Sequence, residues 1–331
     1  MKPKLIWKDI AKRIALGMVC VAWLGGCESL NAPVEFSTSD EHYDQILEQQ
    51  KAGITQEESL KTLPEMTIEE HEKVGDAYVK QGRVGMALLQ YGKVLGKEPR
   101  RIGTRYKVAV LLVENGKAQQ ALDHFDTILE QDDQFALAYE GKGQALLVLG
   151  DLFGADQAFR KALALNPKLW RSHNYLGIMA DRRHLHLSAI EAYKAALAIQ
   201  PREGTVLNNL GMAYYMNRRY RQAVQAFYQA MQVGVDSPKV ANNLGLALAK
   251  LGRFPQAFDA FKKGTDQAKA YNNIGIALLE AGQPQRAIVC FEKAIDLQPT
   301  FYEKANENLV QAKRAASHVV PKSVMKKTSC L

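Results

Sequence analysis

Few side chains in this 331-residue chain are spaced for chemistry. His184 and His186 form an H-x-H pair of the kind that can bind a divalent metal, but no third ligand follows at metal-site spacing. Four cysteines (Cys20, Cys27, Cys290 and Cys330) are too few for a disulfide scaffold of this size. There is no Gly-rich phosphate loop, G-x-S-x-G or H-E-x-x-H. The chain is therefore expected to be non-catalytic, without metal or cofactor, and the histidine pair to be a solvated turn. What does recur is asparagine, in pairs at Asn208-Asn209, Asn242-Asn243 and Asn272-Asn273, with Asn174 ahead of them. A primary amide both donates and accepts, so a row of amides can pair with an extended peptide backbone whatever its side chains.

The elements that must position these amides are repeated. Small residues stand at Gly75, Ala109, Gly143, Gly177, Gly211, Gly245 and Gly275, each 34 residues after the last except the final step of 30. Twelve residues beyond each lies an alanine (Ala87, Ala121, Ala155, Ala189, Ala223, Ala257, Ala287), and four further on an aromatic (Tyr91, Phe125, Phe159, Tyr193, Phe227, Phe261, Phe291). This is the pattern of two antiparallel helices, A and B, in close contact. The small residues admit the partner helix and the ring fills the remaining space. Pro99, Pro167, Pro201 and Pro299 end four B helices, and Gly82, Gly116, Gly150, Gly252 and Gly282 supply turns between A and B.

The pattern resembles the tetratricopeptide repeat (TPR), whose L-G-x-x-Y…A-x-x-x-F signature stands at Leu210-Gly211, Tyr214, Ala223 and Phe227. The resemblance implies an all-α fold, a right-handed α-solenoid of about seven helix pairs over residues 68–101, 102–135, 136–169, 170–203, 204–237, 238–267 and 268–301. Residues 302–317 would form a capping helix with a polar outer face. Two units depart from the pattern. The sixth is four residues short, which predicts a clipped helix B and a bend. The second has Ala109 for glycine and Asp133 for proline.

In such repeats, positions 2, 5, 6, 9, 12 and 13 of each unit reach or border a concave groove. The resemblance thus implies a partner-binding surface made of Asn174, Asn208, Asn209, Asn242, Asn243, Asn272 and Asn273 with apolar Ile178, Met212, Tyr215, Leu246, Ile276 and Leu279 between them. Amides interleaved with apolar groups suit a protein segment that is extended with alternating side chains, or an amphipathic helix. Glu69, Glu72 and Asp76 make the first unit's end of the groove acidic. Arg182-Arg183 and Arg218-Arg219 fall near successive A–B turns, a basic edge for lipid headgroups, an acidic partner, or water alone.

The N-terminus is an address. Lys2, Lys4, Lys8, Lys12 and Arg13 precede an uninterrupted apolar run over residues 14–24, too short to span a bilayer and matching a secretory signal peptide over residues 1–26. Leu24-Gly25-Gly26-Cys27 resembles the bacterial lipobox, which implies lipidation of Cys27. Glu28 in place of aspartate after it favours the outer membrane, facing the periplasm. Cys20 leaves with the signal, and Cys290 and Cys330 could pair in an oxidising compartment, though their spacing does not require it. The signal carries half of the +8 net charge, so the remainder is mildly basic and no nucleic-acid partner is expected. A mean hydropathy of -0.24 excludes a polytopic membrane protein. Residues 27–67 read as the lipidated N-terminus and a tether, and residues 318–331 as a frayed basic tail.

Lipobox and repeats together resemble the pilus-assembly lipoproteins of bacteria, those of the tight-adherence (Flp, TadD) type first and the PilF/PilW group of type IV pili more distantly. The resemblance implies a scaffold or pilotin whose partner is a secretin or pilus-assembly subunit, with membrane contact through the lipid. The alternative is an adaptor for peptidoglycan or polysaccharide enzymes. Cys27→Ala is expected to leave a soluble periplasmic protein that folds normally. Fractionation that still finds it in membranes would remove the lipid anchor.

Overall fold

The computed structural model describes residues 66–234, 237–298, 303–317 and 329–331. Cys27, the signal-like segment and the tether lie outside these, as do residues 318–328 of the tail. Thr67–Leu331 forms a compact unit. Its described residues form fifteen helices and no strand. The A and B helices alternate as α1 (Ile68–Lys80) and α2 (Val84–Lys97), α3 (Ile102–Glu114) and α4 (Ala118–Gln131), α5 (Ala136–Leu149) and α6 (Leu152–Leu165), and α7 (Trp170–Arg182) and α8 (His186–Ile199). They continue as α9 (Gly204–Met216) and α10 (Tyr220–Gln232), α11 (Pro238–Lys250) and α12 (Phe254–Gly264), α13 (Gln267–Glu280) and α14 (Pro284–Asp296), and end with the cap α15 (Glu303–Ser317). Turns of two or three residues join A to B, so the two run antiparallel. The all-α solenoid of seven pairs and a capping helix is thus realised.

Within each pair the spacing is set by the aromatic ring. All seven rings are buried to 1% exposure or less. A methyl group added at Gly75, Gly143, Gly177, Gly211 or Gly245 would lie 2.5–2.7 Å from the ring of its own unit, closer than carbon atoms approach. The second unit shows what happens when the space is filled. Ala109 occupies the small position, and Phe125 instead presses over Gly141 of the next unit, beside Tyr106 with ring centroids 6.2 Å apart. The departure from the repeat pattern is therefore compensated by a glycine one unit further on.

The sixth unit is clipped as its length predicts: α12 has 11 residues against 13 or 14 in the other B helices. Its last residue, Gly264, sits where a side chain would meet the Pro238 carbonyl oxygen at 2.6 Å, and Asp266 at once caps α13 by accepting from the Lys269 amide. At the other end, Thr67 and Glu70 form a reciprocal capping box that starts the array.

Every A–B turn carries one residue with left-handed backbone at the same position of its unit. Five are glycines; in the fourth and fifth units the position is held by His184 (φ 59°) and Arg218 (φ 57°). A side chain there costs about 1 kcal/mol.

The last three residues of the chain are held in place. Cys290 on α14 is disulfide-bonded to Cys330, with Cα atoms 5.0 Å apart and both residues fully buried. Arg286 donates to the Ser329 and Cys330 carbonyls at 3.2 Å, and Leu331 packs on the core. The expectation of a loose tail thus fails for its last three residues, because a buried thiol on the last B helix captures them.

Two substitutions separate ring contact from helix propensity. Propensity alone makes Gly211→Ala stabilising by about 1 kcal/mol, whereas the Phe227 ring makes it destabilising by about 1–3 kcal/mol. His184→Gly is expected to stabilise by about 1 kcal/mol. Denaturant midpoints decide both, and a stabilising Gly211→Ala would remove the ring as the element that sets helix spacing.

Candidate functional site

The A helices of successive units lie side by side, and their fifth and sixth residues meet. Asn209 donates through Nδ2 to Asn174 Oδ1 at 3.2 Å, Asn243 to Asn208 at 3.0 Å and Asn273 to Asn242 at 3.4 Å. In each case position 6 of one unit reaches back to position 5 of the unit before. The cap joins the series, with Asn308 donating to Asn272 at 2.9 Å. The amides are therefore not waiting unpaired for a partner: they form a ladder within the chain. Asn174, Asn208, Asn243, Asn272 and Asn273 are all buried. Asn308 carries no periodic mark in the sequence because it lies outside the repeat. Asn272 keeps a buried Nδ2 with no acceptor.

The same register holds at the N-terminal end with charges instead of amides. Lys107, at position 6 of the second unit, contacts Glu72, at position 5 of the first, at 3.0 Å, and Asp76 at 2.8 Å. Arg101 adds contacts to Glu72 at 2.8 Å and Glu69 at 3.4 Å. Burial pushes the Glu72 and Asp76 carboxyls up, but Lys107, with Arg101 on Glu72 and the Tyr91 hydroxyl on Asp76, holds both below their ordinary values. The expected acidic mouth is thus largely neutralised by the second unit. Above it a pocket of about 450 Å³ is lined by Val79, Val110 and Leu111 with Tyr106, Lys80 and Glu114 among its polar edges.

Between these two ends the register is broken by one buried carboxylate. Glu140 stands at position 5 of the third unit and is 4% exposed. Its Oε2 accepts from the Ser172 amide at 3.0 Å and hydroxyl at 2.7 Å, and among the described residues no cation lies within ion-pairing distance. Tyr106 and Tyr175 are close enough to feel its charge: burial first, then Glu140, raises both phenols. Each ring packs against a second one, Tyr106 edge-on with Phe135 at 5.6 Å between centroids and Tyr175 stacked with Phe159 at 5.0 Å. Position 5 is the sequence signal for this group, since a carboxylate replaces the asparagine of later units.

The predicted apolar residues fall into one class. Ile178, Met212, Tyr215, Leu246, Ile276 and Leu279 each pack against the core yet keep part of their surface open. They lie along the A helices that carry the ladder, so rigid amide contacts fix their spacing. The arginines are placed apart from this surface: Arg182, Arg183, Arg218 and Arg219 are exposed at the A–B turns. The histidine pair is likewise at a turn. His186 contacts Asp181 at 3.1 Å, Asp181 also accepts from the Tyr193 hydroxyl at 3.1 Å, and the described residues hold no group of three potential metal ligands.

Known proteins share the repeat. A family model described as tetratricopeptide repeat matches residues 106–169, 177–238 and 208–273, and a second of the same description matches 268–301. DnaJ homolog subfamily C member 3 of Bos taurus is 28% identical over 100 residues, 30% of this chain and 20% of that protein. The chain therefore matches only about a fifth of the length of such curated relatives. The C-terminal part of a TPR repeat-containing protein from Cytophaga hutchinsonii superposes with a TM-score of 0.55 at 18% identity, covering 72% of this chain and 98% of that one. Pseudomonas aeruginosa pilF superposes with a TM-score of 0.50 at 20% identity, covering 66% and 99%. These likenesses show the fold.

Asn209→Ala, Asn243→Ala and Asn273→Ala together remove three inter-unit hydrogen bonds of about 1 kcal/mol each and strand their acceptors. The expected result is a lower, broader unfolding transition by calorimetry with helix content unchanged by circular dichroism. An unaltered transition would mean that the ladder does not couple the units.

Proposed function

We propose, on the premise that this chain belongs to the tetratricopeptide repeat family, that it is a non-catalytic lipoprotein whose groove captures a segment of a protein partner. Tetratricopeptide repeats build protein-interaction surfaces, and the observation that carries the reading here is the row of half-open apolar side chains along the A helices. Ile178, Met212, Leu246 and Ile276 recur at one position per unit, held at fixed spacing by the amide ladder beside them. A preorganised surface of this kind binds without an ordering cost of its own. The ladder amides take part through whatever donor and acceptor capacity their mutual bonds leave open.

The reading places the protein in the periplasm, anchored to the outer membrane through Cys27, as a scaffold or pilotin for a secretin or pilus-assembly subunit of the Flp/Tad type. The lipobox-like Leu24-Gly25-Gly26-Cys27 supports the anchor. The Cys290–Cys330 disulfide supports an oxidising compartment, independently of the N-terminus. In this mechanism the lipid holds the array at the membrane, residues 28–66 set its reach, and the groove grips the partner while it assembles.

Affinity purification of the tagged protein from gently solubilised native membranes, with mass spectrometry of what accompanies it, tests the reading. A secretin or pilus-assembly subunit is the expected companion. Recovery of cell-wall or polysaccharide enzymes with no secretin would replace it with the adaptor role.

A further inference from the structure

The groove leaves one surface unexplained. Along the A–B turns of the third, fourth and fifth units, Phe153 is 71% exposed, Val148 59%, Leu187 57%, Leu185 54% and Met216 51%. Phe153 and Leu187 stand at the same position of adjacent units, the second residue of helix B, so they are neighbours along one edge. Inter-unit contacts fix that alignment. Arg183, at the fourth turn, reaches Asp156 in the first turns of the third unit's helix B at 3.8 Å, and Lys250 bonds Glu280 at 2.8 Å between the last turns of adjacent A helices. Several large apolar side chains grouped on a protruding edge are unusual for a surface exposed only to water.

The exposed charges at the fourth and fifth turns are mostly basic. Arg182, Arg183, Arg218 and Arg219 flank the apolar group and are all exposed. The carboxylates nearby are already engaged: Asp151 accepts from the Gly154 amide, Asp156 holds Arg160 at 2.6 Å, and Asp181 holds His186 and Tyr193. Arg182, Arg218 and Arg219 have no carboxylate within ion-pairing distance among the described residues. The two turns that carry these arginine pairs are also the two where His184 and Arg218, rather than glycine, occupy the left-handed position. Side chains are kept there at a cost that the other five turns avoid.

We infer that this edge is a membrane-contact surface for anionic phospholipid. Protruding apolar side chains enter the boundary between headgroups and acyl chains, while the arginines beside them meet phosphate and other anionic headgroup oxygens. A row of exposed apolar turns fits a planar, deformable surface. An acidic protein would match the arginines but would leave Phe153, Leu185 and Leu187 without apolar cover. The contact adds to any lipid on Cys27 and, being reversible and salt-sensitive, does not by itself retain the chain in fractionated membranes.

The test uses residues 67–331, whose core, capping box and disulfide all lie within that unit. The protein is sedimented with vesicles of phosphatidylglycerol and phosphatidylcholine in equal parts, and with phosphatidylcholine alone. Binding only to the anionic vesicles, weakened by salt, is expected. Each Arg→Gln substitution at the four positions lowers partitioning about fivefold. Phe153→Ser with Leu187→Ser lowers it roughly tenfold or more, with circular dichroism unchanged because both side chains are exposed. In a Phe153→Trp variant the new indole emission shifts to the blue on addition of anionic vesicles. The existing Trp170 lies at the opposite end of its helix. Absence of sedimentation, or binding that both variant sets leave unchanged, overturns the inference. So does a concentration-dependent dimer that the Phe153/Leu187 variant abolishes and vesicles do not dissolve, which would assign the edge to a second copy of the chain.

Discussion

An aromatic ring pressed against a residue with no side chain is the contact on which the rest of the array depends. It fixes how close helix B approaches helix A, and therefore where the next A helix can lie. Because the ring and the small residue are sixteen positions apart in every unit, one contact recurs down the chain and propagates a constant geometry. The second unit bears this out by exception. With Ala109 in the way, Phe125 must go elsewhere, and Gly141 in the third unit receives it. A local misfit is thus absorbed by the neighbour, which is how a structure with only nearest-neighbour contacts tolerates variation.

On that geometry the fifth position of an A helix is brought against the next A helix in most units, and the chain fills the meeting point with different chemistry along its length. Charged pairs bind the first two units, a carboxylate–serine contact the third to the fourth, and amides the rest, cap included. Buried amides and a buried carboxylate are costly unless satisfied, and nearly all of these are. The polar row thereby becomes part of the scaffold, and the apolar residues beside it become the adaptable surface.

The helix pairs, the small residues, the rings, the clipped sixth unit and the cap could be read directly, because each leaves a local and periodic mark on the sequence. The amide ladder was visible as a row but not as a set of bonds. Whether Asn209 faces solvent or Asn174 depends on the offset between helices 35 residues apart, which no local pattern encodes. The same holds for Lys107 on Glu72, which turned an acidic mouth into a neutral one. Phe153 looks like a core residue by type, and only its place at a turn exposes it. The disulfide joins residues 40 apart through a segment without periodicity, so the sequence permits the pairing without requiring it.

That covalent link makes the two ends of the array unequal. A solenoid without it frays from either terminus, shedding one unit at a time, since a terminal unit has a single neighbour. Here the last B helix, the cap and the chain end form a closed loop, so the cap and the seventh unit cannot peel away separately. Thermal fraying and mechanical pulling alike are directed toward the first unit, which is also the end nearest residues 28–66. If that segment transmits force, the array yields from the pulled side, and the units beneath the C-terminal part of the apolar row are the last to open. The half of the groove bearing Leu246, Ile276 and Leu279 thus has the longest mechanical lifetime.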